Sequence, residues 1–161
     1  MTDFHDLYQR YQPDVYRFAY WLTGNAAQAD DITAETFVRA WTLWEDLRLA
    51  TAKAYLFTIA RNLFLQQARH AAREVALEPG LPDTAPGPEQ LTERRAELQA
   101  IRRILQGLPE IDRAAFLMRV QDEFAYETIA QSLHISVAAA KVKVHRVRLK
   151  LAVLHSNEEA S

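Results

Sequence analysis

The 161-residue chain contains no cysteine. Disulfide frameworks, thiolate zinc sites and cysteine nucleophiles are therefore excluded. No apolar run approaches the roughly 18 residues that a membrane helix needs. Met1 to Arg10 carries Asp3 and Asp6 and no apolar signal core. A cytoplasmic protein with no membrane partner is expected. Alternating strand patterns are also missing, and the one hairpin-like dipeptide, Gly24-Asn25, falls between helical patterns. Neither charge is in excess: 19 basic and 21 acidic side chains leave a net charge of −2. Taken whole, that balance speaks against nucleic acid, because phosphate affinity comes from clustered Lys and Arg. The composition, 49% hydrophobic and 25% charged, is that of an ordinary globular protein.

The distribution along the chain says more than the totals. Residues 78–90 hold four of the six prolines and two of the four glycines. Such a stretch neither continues a helix nor pairs in a sheet. The expected fold is all-α: two small helical domains joined by a flexible linker, the second containing a helix-turn-helix. The boundaries are 1–77 for the first domain, 78–92 for the linker, 93–155 for the second domain and 156–161 for a tail. Thirteen of the sixteen aromatics precede residue 78. Residues 1–77 carry 8 basic and 9 acidic side chains, 78–100 carry 2 and 5, and 101–161 carry 9 and 7.

Helical periodicity runs through both halves. Phe4, Leu7, Tyr8, Tyr11, Val15, Phe18 and Leu22 recur at spacings of three and four. Gly24 fits a helix stop, and Asn25 with Gln28 fits a capping box for the next helix. Ile32, Thr36, Phe37, Ala40, Trp41 and Trp44 continue that helix. A looser stretch at 45–52 precedes a third helix from Lys53 to about Arg73. Further helices are expected near 91–106, 109–121, 126–133 and 137–154, with Gly107 and Pro109 marking a break and restart.

The most informative segment is 126–151: a short helix, the turn His134-Ile135-Ser136, and a helix with Lys141, Lys143, Arg146, Arg148 and Lys150. No acid occurs between 136 and 155. Ile129, Ala130, Leu133, Ile135, Val137 and Ala140 supply small apolar contacts for two crossed helices. Ser136 can cap the second helix. Val137, Ala140, Val144, Val147, Leu151 and Leu154 form its apolar stripe. A helix-turn-helix presents a recognition helix to the major groove in this way. The alternative is a solvated basic face on a bundle helix. The turn breaks one local rule, since its first residue needs a left-handed backbone and here is His134 rather than Gly.

In the order of its motifs, the chain resembles an extracytoplasmic-function sigma factor, the two-domain type of sigma-70 family protein that directs bacterial RNA polymerase to promoters. Phe4 to Tyr8 and Val15 to Gly24 resemble the first helix of region two. Ala29 to Trp41 is similar to the helix that docks on the polymerase clamp. Tyr55 to Asn62 resembles the helix that meets the minus-ten element, and Leu105 to Arg148 resembles region four. The sequence departs from the usual pattern at Tyr55, Gln66, Thr128 and Ala139-Ala140.

The resemblance implies three surfaces. Asp30, Asp31, Glu35 and Phe37 would contact core RNA polymerase, although Asp31 and Glu35 also read as a solvated acidic face. Lys53, Tyr55, Arg61, Asn62, Arg69 and Arg73 would meet the minus-ten element, and basic residues interleaved with aromatics suit single-stranded DNA. The resemblance further implies that the loop at 45–53 captures a flipped base. Ser136, Lys141, Lys143, His145, Arg146 and Arg148 would read the minus-thirty-five element. Partners are then core polymerase and promoter DNA, and family members are commonly held off by an anti-sigma factor. No cofactor, metal site or catalytic activity is expected, because the chain has no nucleophile–base pair, ligand cluster or phosphate loop. The competing reading is a non-sigma helix-turn-helix regulator whose first half dimerises or senses a ligand.

Overall fold

The computed structural model describes residues 3–46, 51–77 and 92–159. The expected linker up to Leu91 and the centre of the expected base-capturing loop, 47–50, lie outside them. Every regular element among the described residues is helical.

Helix α1 spans Phe4–Thr23. The Asp3 side chain caps its first turn by accepting from the Asp6 amide at 2.9 Å. The apolar spacing carries through Pro13, which lies inside the helix on its exposed side. Gly24 ends α1 with φ at 70°. Asn25 then caps α2, Ala26–Thr42, by accepting from the Gln28 amide at 2.9 Å. Only half of the expected capping box forms. The Gln28 side chain turns instead to Gln67 on α3 at 2.9 Å. A 3-10 turn covers Trp44–Asp46, and α3 runs Ala52–Leu77, about 39 Å at 1.5 Å per residue. These three helices bury Leu7, Val15, Phe18, Leu22, Ile32, Phe37, Leu56, Phe57 and Ala60 among one another.

The second half begins with α4, Glu93–Gln106. α5, Glu110–Phe116, continues as a π-helical turn over Leu117–Gln121. A π turn inserts one residue into an α-helix. The insertion is visible at the helix end, where Glu123 is left-handed and the Phe124 amide donates to the Met118 carbonyl. That bond spans one residue more than the corresponding bond of an ordinary Schellman end. The expected straight helix over 109–121 is therefore an α-helix with a widened last turn. The helix-turn-helix follows as α6, Tyr126–Leu133, and α7, Val137–Glu159. His134 takes φ 57° and ψ 46°, as the turn demands, and the Ile135 amide closes on the Ala130 carbonyl. The Ser136 hydroxyl accepts from the Ala139 amide at 3.0 Å.

The two halves pack directly on each other. Phe57 of α3 stacks on Phe18 of α1 (centroids 4.5 Å apart) and meets Phe124 edge-on at 5.2 Å. At the C-terminal end of α1, three side chains of the second half reach orphaned helix carbonyls. Gln106 donates to Leu22 O at 3.2 Å, Arg113 to the same oxygen at 2.9 Å, and Arg102 to Gly24 O at 3.2 Å. Guanidinium groups at a helix C-terminus also complement its negative dipole end.

Candidate nucleic-acid interface

α7 presents its charge as the helical spacing requires. Ala140, Val144 and Val147 are buried, with Val137, Leu151 and Leu154 half-buried beside them. Lys141, His145, Arg146 and Arg148 are exposed. Lys141 Nζ sits 5.7 Å from the Tyr126 ring centroid, and Arg119 is also over that ring at 4.4 Å. Ser136 is exposed but its hydroxyl oxygen is engaged in the cap. Lys143 departs from expectation. It turns inward and pairs with Asp112, itself buried, at 3.2 Å.

α3 divides by face. Asn62, Arg69 and Arg73 are exposed, and Tyr55 is about one-third exposed. Gln66, Arg69, His70 and Arg73 line a shallow groove at the far end of the helix. Lys53 and Arg61 are only partly exposed, and both are paired. Arg61 forms a bidentate pair with Glu110 at the start of α5, Nε at 2.6 Å and the second guanidinium nitrogen at 2.8 Å. Lys53 Nζ lies 3.1 Å from Asp122, just after the π turn, and 3.7 Å from Asp14. Arg17 completes that cluster, 2.9 Å from Asp14 and 3.6 Å from Asp122. The Asp122 carboxylate has no solvent exposure. Burial raises its pKa, opposed in part by Lys53 and Arg17 and reinforced by Asp14. Between these two ion pairs, Thr58 and Ser132 touch hydroxyl to hydroxyl at 2.6 Å. Thr58 gives its proton to the Ala54 carbonyl, so Ser132 is the donor between them.

The expected polymerase surface needs one correction. Asp30, Asp31 and Glu35 are exposed on α2, with Glu35 paired to Arg39 at 3.5 Å. Phe37 lies in the core at 3% exposure, its ring edge-on to Tyr8 and Phe4. One position later the helix turns outward, and Val38 (58%) and Trp41 (61%) are the exposed apolar side chains of that face. From the sequence, Trp41 is named only as continuing the helix, which misses its exposure. A second miss is Val142, 47% exposed on α7 beside Lys141. Its place off the apolar stripe was the signal available.

Comparison with known proteins agrees with this arrangement. Residues 7–74 match the family model for sigma-70 region 2, and residues 98–151 match the model for sigma-70 region 4. The chain is 33% identical to the ECF RNA polymerase sigma factor EcfG of Rhodopseudomonas palustris, over 88% of this chain and 79% of that protein. It is 29% identical to SigM of Bacillus subtilis, over 94% of each. Against SigE of Mycolicibacterium smegmatis it is 31% identical, and there it spans 65% of the relative's length. Among solved structures, the sigma factor RpoE in complex with the anti-sigma factor NepR from Bartonella quintana superposes with a TM-score of 0.82. That match has 28% identity and covers 97% of this chain and 98% of that one. CnrH in complex with the cytosolic domain of CnrY shares the fold at a TM-score of 0.68 and 22% identity. The chain belongs to the sigma-70 family, as a sigma factor of the extracytoplasmic-function type.

Proposed function

We propose that this sigma factor binds core RNA polymerase through α2 and reads promoter DNA with α3 and α7, carrying out no catalysis of its own. Working in the cytoplasm, it would use residues 1–77 as the polymerase and minus-ten unit and 93–155 as the minus-thirty-five unit. The observation that carries the reading is the capped, acid-free start of α7, whose exposed Lys141, His145, Arg146 and Arg148 suit a recognition helix. Phosphate contacts position such a helix, and base-edge contacts specify the sequence. Val142, 47% exposed, would offer an apolar contact to a thymine methyl in the groove. On α2, Asp30, Asp31 and Glu35 would dock on a basic polymerase surface, with Val38 and Trp41 adding apolar area in place of Phe37. Tyr55, Asn62, Arg69 and Arg73 are available to the minus-ten strand, whereas Lys53, Arg61 and Lys143 must first exchange their carboxylate partners. The complex of the Bartonella relative with NepR supports an anti-sigma factor as a further partner.

In vitro transcription with core polymerase and a promoter library tests the reading. Lys141→Ala with Arg146→Ala should reduce upstream-element binding and leave polymerase binding intact, and Asp31→Ala with Glu35→Ala should do the reverse. If both pairs lose the same activity, the division of labour is wrong.

A further inference from the structure

Lys141 and Lys143 stand two residues apart near the start of α7, and the rest of the second half aims them differently. Lys143 is drawn inward by the Asp112 carboxylate at 3.2 Å. Lys141 is exposed and forms no ion pair among the described residues. What it meets is a ring. Its Nζ sits 5.7 Å from the centroid of Tyr126, the first residue of α6. The same ring is held by Arg119, whose guanidinium carbon lies 4.4 Å from the centroid. Arg119 is itself tied down, since its guanidinium donates to the Phe124 carbonyl at 3.0 Å. It belongs to the π turn Leu117–Gln121, and such turns inside α-helices are frequent at functional sites. The half-buried Tyr126 ring thus links the π turn to the recognition helix.

We propose that Tyr126 is a positioning residue for Lys141, held in place by Arg119, and that this ring sets how much Lys141 contributes to binding the upstream element. The proposal rests on the assignment of α7 as the recognition helix. A lysine has a flexible four-carbon stem, and ordering it against DNA costs rotamer freedom. A ring that already orders the stem removes part of that cost before DNA arrives. A carboxylate would order it only by compensating the charge, as Asp112 does for Lys143. An aromatic face attracts the ammonium through its quadrupole and leaves the full positive charge for DNA. Arg119 completes the arrangement, because a ring fixed from the π turn holds Lys141 in one direction, whereas a free ring would move with it.

A double-mutant cycle on the complete holoenzyme tests this. The chain is assembled with core polymerase, and the probe is the strongest promoter duplex recovered from the library, fluorescein-labelled and read by anisotropy. The contribution of Lys141 is the ratio of affinities without and with Lys141→Ala, taken in several backgrounds. In the Tyr126→Phe chain, which keeps the ring, the ratio should match that of the native chain, whatever the hydroxyl itself does. In the Tyr126→Leu chain it should fall by about two- to fivefold, the range of an exposed cation–π contact. Arg119→Gln should lower it in the same direction, and it serves as the test where Tyr126→Leu fails to fold. A merely structural role for Tyr126 would weaken binding by the same factor with Lys141 present or absent. An unchanged ratio in either folded variant therefore overturns the positioning role and leaves α7 on DNA. A ratio of one in the native chain overturns the placement of Lys141 on DNA, and the positioning role with it.

Discussion

Arg113 is the side chain whose loss should be felt in both halves. It is 4% exposed, and no carboxylate among the described residues forms an ion pair with its guanidinium. Three carbonyls hold it instead: Leu22 of α1 at 2.9 Å, Leu105 at 3.1 Å and Leu108 at 3.0 Å. The Phe64 ring lies under it at 5.9 Å. Burial lowers its pKa, against the attraction of Glu110. Arg113→Met keeps the length of the stem and removes all three donors. A hydrogen bond from a charged donor contributes about 1.5–3 kcal/mol net. The full sum does not apply, because Leu22 O keeps Gln106 and Leu105 O keeps the Leu108 amide. The guanidinium's own desolvation cost is also relieved. The expected loss is about 2–3 kcal/mol. Urea unfolding followed by far-UV circular dichroism and by tryptophan fluorescence measures it. All three tryptophans, Trp21, Trp41 and Trp44, lie in the first half, so their fluorescence reports that half alone. With the pin removed, the fluorescence and dichroism transitions should separate. Coincident curves with a loss below about 0.5 kcal/mol, within the range of an ordinary surface substitution, would refute the role.

Two further outcomes follow from local physics. Asp122 has a raised pKa, so the folded chain holds that proton more tightly than the unfolded chain, and its contribution to stability falls as pH rises from the unfolded value near 3.8 through the folded value; Asp122→Asn should flatten that part of a melting-temperature profile against pH. His134→Gly should stabilise the second half by up to about 1 kcal/mol in thermal melts, because the left-handed backbone at φ 57° strains a residue with a Cβ.

What the sequence determined by itself is local. The end of α1 at Gly24, the Asn25 cap, the strained His134 turn and the Ser136 cap all depend on neighbours within a few residues. Backbone sterics and side-chain reach are enough to read them. The buried stripe of α7 was equally legible, because helical periodicity assigns a face whatever the partner is. Faces became unreliable where two surfaces compete for the same residue. Phe37 and Trp41 are both apolar and four apart; Phe4 meets both rings, and only the tertiary packing, with Tyr8 against Phe37, decides which one is enclosed. Charges were least legible of all. Lys53, Arg61 and Lys143 have the residue type and spacing of DNA-binding cations, but their partners Asp122, Glu110 and Asp112 lie 31 to 69 residues further along or back in the chain. A Coulomb pair depends on distance in space, so only the tertiary structure could show that these cations are already taken.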